Sequence, residues 1–159
     1  MSNTIGREIA DNMQKYENYK EQFKRLKKAF DYKFYMEAIF IEYAIMEDRT
    51  DAILRYESNE IKPKNEREFI SITRKLNRVR KIAEQNKSLP QRYFADGIVD
   101  ELAEWINKRN ALIHALLKKE LTTDEVEAFA MKGKNLARAL CNKAQNYKRA
   151  VERREAKSK

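Results

Sequence analysis

Apolar residues recur along most of this chain in steps of three and four, the spacing that gathers side chains on one side of an α-helix. Ile5, Ile9, Tyr16, Tyr19, Phe23, Leu26 and Phe30 form the first such stripe and predict a long opening helix. Asn12 occupies the one place in that stripe where an apolar residue is expected, either as an exposed edge position or as a polar residue that fixes register in a seam. A second helix, from about Phe34 to Arg55, is apolar around most of its circumference and should be the most buried element. Its polar residues Glu42, Glu47, Asp48 and Arg49 therefore need partners; Glu42 and Arg49, seven positions apart, share a face. Ser58 to Asn65 reads as a connector. Asn65 and Glu68 have the spacing of a capping box, and Phe69, Ile72, Leu76, Val79 and Ala83 carry the third stripe.

Ser88, Pro90 and Gln91 resemble a helix start, since Ser can cap and Pro is tolerated in a first turn. The fourth helix runs on to about Leu117, with Gly97 as a candidate early break. Thr122 and Glu125 repeat the capping-box spacing and open a last helix whose stripe is Val126, Phe129, Leu136, Leu140, Ala144, Tyr147 and Val151. These elements predict an all-α, single-domain bundle of about five long antiparallel helices over residues 1–155, with the final helix at about 122–155 and a frayed tail at 156–159.

Composition narrows the picture. A chain of 159 residues matches one ordinary domain, and three Gly, two Pro and 37% charged residues leave too few turns for a sandwich or barrel of short strands. The most apolar run, Phe34 to Met46, is interrupted by Glu37 and Glu42, so no membrane span is expected. The first residues lack a basic start followed by an apolar stretch, and the lone Cys141 cannot form an internal disulfide; a cytoplasmic location is expected. One Cys and one His are too few for a zinc site of those ligands, and Ala111 stands where a Glu-x-x-His metal motif would need its carboxylate. No metal and no cofactor are expected.

Of the net charge of +9, residues 132–159 carry +8, with ten basic side chains against Glu152 and Glu155. The basic helix is either a solvated face or a track for an RNA backbone, for which Lys143, Lys148 and Arg149 are the candidates. Tyr147, within the same stretch, can stack a base or pack in the core.

On the fourth helix the apolar stripe is Ile98, Leu102, Trp105, Leu112 and Leu116, and Arg109 stands where its rhythm calls for an apolar residue. A buried guanidinium must be paired or line a wet cleft, so Arg109 is either the partner of Glu42 or Asp48 or part of a polar site. His114, the only histidine, follows five residues later, about 140° around an ideal helix axis. Asn110 lies one turn before His114 and can orient its imidazole. For Arg109 and His114 to meet one phosphodiester, the helix must distort or a second copy of the domain must complete the site.

Lys108-Arg109-Asn110-Ala111-Leu112-Ile113-His114 resembles the signature of the HEPN superfamily, an Arg followed after four to six residues by a His, often with Asn directly after the Arg. The resemblance implies a compact α-helical domain that works as a homodimer, and a metal-independent endoribonuclease of bacterial or phage toxin, abortive-infection or defence systems. RNA is then the substrate and an antitoxin or defence protein a further partner. It also implies Arg109, Asn110 and His114 as catalytic residues, with Glu47, Asp48, Arg49 and Lys108 in support; Met46 to Arg49 is similar to a charged patch of some members. In such chemistry the 2′-hydroxyl of RNA attacks the neighbouring phosphorus, leaving a 2′,3′-cyclic phosphate and a 5′-hydroxyl. Histidine exchanges protons near neutral pH and Arg109 would stabilise the charge of the transition state. The other reading is a non-catalytic RNA- or partner-binding bundle, as a degenerate HEPN domain or an assembly module.

Overall fold

The computed structural model describes residues 11–159, and every regular element among them is a helix. The order is α1 (Asn12–Asp31), α2 (Tyr35–Tyr56), α3 (Ile72–Ala83), α4 (Leu89–Phe94), α5 (Ile98–Ala115) and α6 (Thr123–Lys157). Ile5 and Ile9 lie outside the described residues. Among the described residues no helix is long and apolar enough to cross a membrane.

Side-chain caps start the helices where the sequence offers short oxygen-bearing residues. Asp11 accepts from the Gln14 amide, Ser71 from Arg74 and Ser88 from Gln91, while Thr122 and Glu125 form the reciprocal box at α6. The third helix opens at Ser71 rather than at Asn65. Asn65 instead accepts from the Arg67 amide at 3.0 Å, and Glu68 takes the Lys64 amide and, at 3.0 Å, Arg74, so both organise the connector. Phe69 consequently falls outside the stripe and is 74% exposed. Gly97 ends the predicted fourth helix early. Its φ of 91° lies in the left-handed region that a side chain disfavours, and the chain restarts there as α5, which makes six helices among the described residues where about five were predicted.

After α1, Lys33 turns through a φ of 59° and the Phe34 amide returns to the Ala29 carbonyl at 2.7 Å. That tight turn folds α2 back against α1, with Arg25 beside Glu37 and Phe30 edge-on to Tyr35. α6 also runs antiparallel to α1, setting Lys134 over Phe30 and Arg138 over Phe23. Hence α2 and α6, which share the largest interface, run parallel, contrary to a simple antiparallel bundle. Glu42 abuts Gly133 near one end of the pair; toward the other, Glu57 accepts from the Tyr147 hydroxyl and meets Arg154 at 3.0 Å.

The core sits between these two helices and α5. Ala38, Met46 and Ile53 of α2 share one buried cluster with a stripe on α6, where the small Ala130, Gly133, Ala137 and Ala144 alternate with Leu136, Leu140 and Tyr147. Small residues let the helix axes approach closely, and each large side chain removed from water contributes about 1.5–3 kcal/mol. Gly133 is required: a Cβ there would lie 2.5 Å from the Trp105 ring. Trp105 closes the third side, stacked on Phe129 with centroids 4.9 Å apart and its indole N–H donating to the Phe129 carbonyl.

Candidate site at the end of α5

α5 carries Trp105 and Ile106 into the core, and one turn on it delivers Arg109 half-buried against α2. The guanidinium carbon lies 4.3 Å from the centre of the Tyr43 ring and 5.4 Å from that of Phe40. Nη1 donates to Asn110 Oδ1 at 3.2 Å, while the buried Nε has no partner. No carboxylate pairs with Arg109 among the described residues. The expected pairing with Glu42 or Asp48 is therefore not made; aromatic faces, whose negative quadrupole attracts a cation, accommodate the charge instead.

His114 is exposed in the last turn of α5, a position favourable to a cationic side chain, and has no hydrogen-bond partner among the described residues. Asn110 Oδ1 is engaged by Arg109 rather than by the imidazole. The helix is continuous from Ile98 to Ala115, so Arg109 and His114 keep separate faces and no distortion brings them together. Two large apolar side chains are exposed nearby, Phe40 beside Arg109 at 55% and Leu117 just beyond α5 at 100%. Lys108 pairs with Glu104 at 2.6 Å on the outer face.

The supporting residues predicted on α2 divide between its two flanks. Glu47 stays on the Arg109 side, where it shares Lys75 with Asp51 at 3.2 and 3.0 Å. Burial raises the Tyr43 hydroxyl pKa and Glu47 adds to the rise, while Arg109 and Lys75 oppose it. Asp48 and Arg49 turn to α1. Asp48 accepts from Lys15 at 2.9 Å, from the Tyr19 hydroxyl at 2.6 Å and from Arg49 at 2.6 Å, and Arg49 lies 4.5 Å from the centre of the Tyr19 ring. Burial pushes the Asp48 carboxyl up, but these three hydrogen bonds outweigh it and hold the group at about 2.

Glu42 belongs to neither cluster. It is fully buried beside Gly133 and Trp105, neither oxygen has a hydrogen-bond partner, and burial pushes its carboxyl up to about 9 against a small opposing pull from Lys134. The sequence marks it as a carboxylate within an apolar run, but not that it would go unpaired.

The basic α6 residues also separate. Lys143 is a strut to the α4–α5 turn, donating to the Tyr93 carbonyl at 2.9 Å and pairing with Asp96. Tyr147 is core, with rings of Tyr93 and Phe94 edge-on to it. Lys148 and Arg149 instead line an open cleft of about 650 Å³ between α1, the end of α2 and α6. Lys15, Arg55 and Tyr56 line it too, and sequence periodicity passes over them because they lie beside the apolar stripes; Tyr16, which the periodicity assigns to the stripe of α1, also lines the cleft and is exposed. The adjacent pairs Lys15-Tyr16 and Arg55-Tyr56, each a cation beside an aromatic, were the available signal.

No family model, curated protein or solved structure matches this chain. Its chemistry is therefore read from the site. That site offers an unneutralised guanidinium held by aromatic rings, an amide fixed to it, and an imidazole open to solvent one turn beyond.

Proposed function

We propose that this chain is a HEPN-like, metal-independent endoribonuclease that acts as a homodimer in a toxin or defence setting. The observation that carries the reading is Arg109: half-buried, with no carboxylate to neutralise it among the described residues, and followed on another face of α5 by an exposed His114. A cation left unanswered at a surface suits a phosphate oxygen, which a planar guanidinium can bind through two N–H groups.

In this reading one His114 takes the proton of the RNA 2′-hydroxyl as its oxygen attacks the adjacent phosphorus. The bond to the 5′-oxygen breaks, and that oxygen leaves with a proton from the His114 of the second copy. Arg109 binds the phosphate as charge builds on the pentacoordinate phosphorus, and Asn110 holds the guanidinium in place. The substrate supplies its own nucleophile, so the chemistry itself needs no metal. A second copy is required because α5 is unbroken and keeps Arg109 and His114 of one chain on different faces. The exposed Phe40, Leu116 and Leu117 beside them are the surface such a copy would cover.

One observation favours a non-catalytic RNA- or partner-binding bundle: nothing described within the chain orients the His114 imidazole. The two readings part in a single experiment. Total RNA is incubated in EDTA with wild type and with His114→Ala, and the fragment ends are mapped. Cyclic-phosphate ends from wild type that disappear with His114→Ala support the ribonuclease; no cutting by either protein rejects it.

A further inference from the structure

We infer that the cleft between α1, the C-terminal end of α2 and α6 binds single-stranded RNA, on the opposite flank of α2 from Arg109. The inference gives the proposed ribonuclease a second RNA-binding surface, but it does not depend on cleavage.

Charge is the first argument. Lys15, Arg49, Arg55, Lys148 and Arg149 line the cleft. Asp48 answers Lys15 and Arg49 together, and Glu152 lies 3.9 Å from Lys148. Arg55 and Arg149 have no ion pair among the described residues, so five cations against two carboxylates leave three positive charges facing one space. A low-dielectric wall behind such charges focuses their field on an anion.

Shape and surface chemistry narrow the anion. The cations come from three helices, so they suit several phosphates along a chain better than one terminal phosphate. They also continue past the cleft: Arg153, one turn beyond Arg149 on α6, lines a second groove with Lys87, Arg92 and Lys157, and among the described residues no acidic side chain lines that groove. A polyanion can follow this band across α6, whereas a free nucleotide has no use for it. Tyr16, 62% exposed on the cleft wall, offers an open ring face to a base, and Asn12 and Gln145 present amides beside it. Base stacking on such a ring needs an unpaired strand, since a duplex keeps its bases stacked on one another.

The test is fluorescence anisotropy with a labelled ten-nucleotide oligouridylate over a series of KCl concentrations, on His114→Ala protein so that the probe stays intact. Arg55 and Arg149 are exposed and unpaired, so Arg55→Glu/Arg149→Glu keeps the melting temperature, which circular dichroism verifies. The double variant binds at least tenfold more weakly, and the slope of log affinity against log salt falls in magnitude by roughly 1.4, at about 0.7 for each phosphate of a single strand that the variant no longer neutralises. Tyr16→Ala weakens binding about fivefold or more. Unchanged affinity and slope in the double variant overturn the inference. So does an equal loss with Lys24→Glu/Lys28→Glu, exposed lysines of α1 that do not line the cleft, because the effect would then be net charge alone. Displacement by uridine monophosphate at the concentration of oligonucleotide that displaces equally would make the cleft a nucleotide site and overturn it as well.

Discussion

Two arginines in this molecule rest on tyrosine rings at almost the same distance, and they differ in what else they touch. Arg49 lies 4.5 Å from the centre of Tyr19 and is bound by Asp48 at 2.6 Å; Arg109 lies 4.3 Å from the centre of Tyr43 and has no carboxylate among the described residues. On the α1 flank of α2, then, ring, cation and anion satisfy one another and the cluster serves to hold helices together. On the α5 flank the ring holds the cation while its charge remains available. An aromatic face contributes about 0.5–2 kcal/mol, enough to position a guanidinium without consuming its capacity to bind an anion.

The largest expected effect tests the available charge. Arg109→Ala should lower RNA cleavage by about 10²–10³-fold, the range for removing one donor to a transition-state oxyanion. The melting temperature should move only a few degrees, since the attraction to the rings that disappears is about 1 kcal/mol. Cleavage at the wild-type rate would show that the unanswered guanidinium takes no part in the reaction, and the contrast between the two flanks would carry no functional meaning.

Next comes Glu42, a buried carboxyl with no hydrogen-bond partner and only a weak pull from Lys134. Its folded pKa of about 9 lies above the ordinary 4.5, so the native state keeps its proton while the unfolded chain loses it. Stability therefore declines as pH rises from about 4.5 toward 9, by about 3 kcal/mol between pH 4.5 and 7 on the linkage relation. Glu42→Gln keeps the shape and removes this slope, so urea unfolding at pH 8 should place the variant above wild type by about 4 kcal/mol. A variant no more stable at pH 8 than at pH 5, relative to wild type, would refute the buried neutral acid.

The smallest effect belongs to the answered pair. Asp48 is held near 2 against an ordinary 3.8, so its contribution is present above about 4 and is lost as pH falls toward 2. Asp48→Asn should cost about 1 kcal/mol at pH 7, a figure kept low because the carboxylate is partly exposed and screened. Its acid-unfolding curve should be shallower than wild type below pH 4. A loss that persisted undiminished at pH 2 would assign the effect to packing instead of charge.

Much of the fold was legible in the residues. Helix α2 announced itself by being apolar around most of its circumference, α6 by its Thr122–Glu125 box, and Arg109 by interrupting a regular stripe. Periodicity reports which face of a helix is buried, not which helix covers it, so the parallel pairing of α2 with α6 and the direction taken by Glu42 were not readable. The capping-box spacing at Asn65 was misleading because Asn and Glu serve turns as readily as helix starts. The supporting residues Glu47, Asp48 and Arg49 are consecutive, and about 100° of rotation per residue sent them to different flanks. The α1–α2–α6 cleft escaped notice since its walls come from three distant segments and only folding brings them together.

The parallel run of α2 and α6 has a consequence for how the chain comes to be folded. Between Tyr56 and Thr123 lie 66 residues, so the largest interface closes a long loop. The α1–α2 hairpin, joined by the short turn at Lys33, can assemble early from neighbouring contacts. Its most apolar surface then waits for a helix far along the sequence, so the slow, non-local step of folding is the docking of α6.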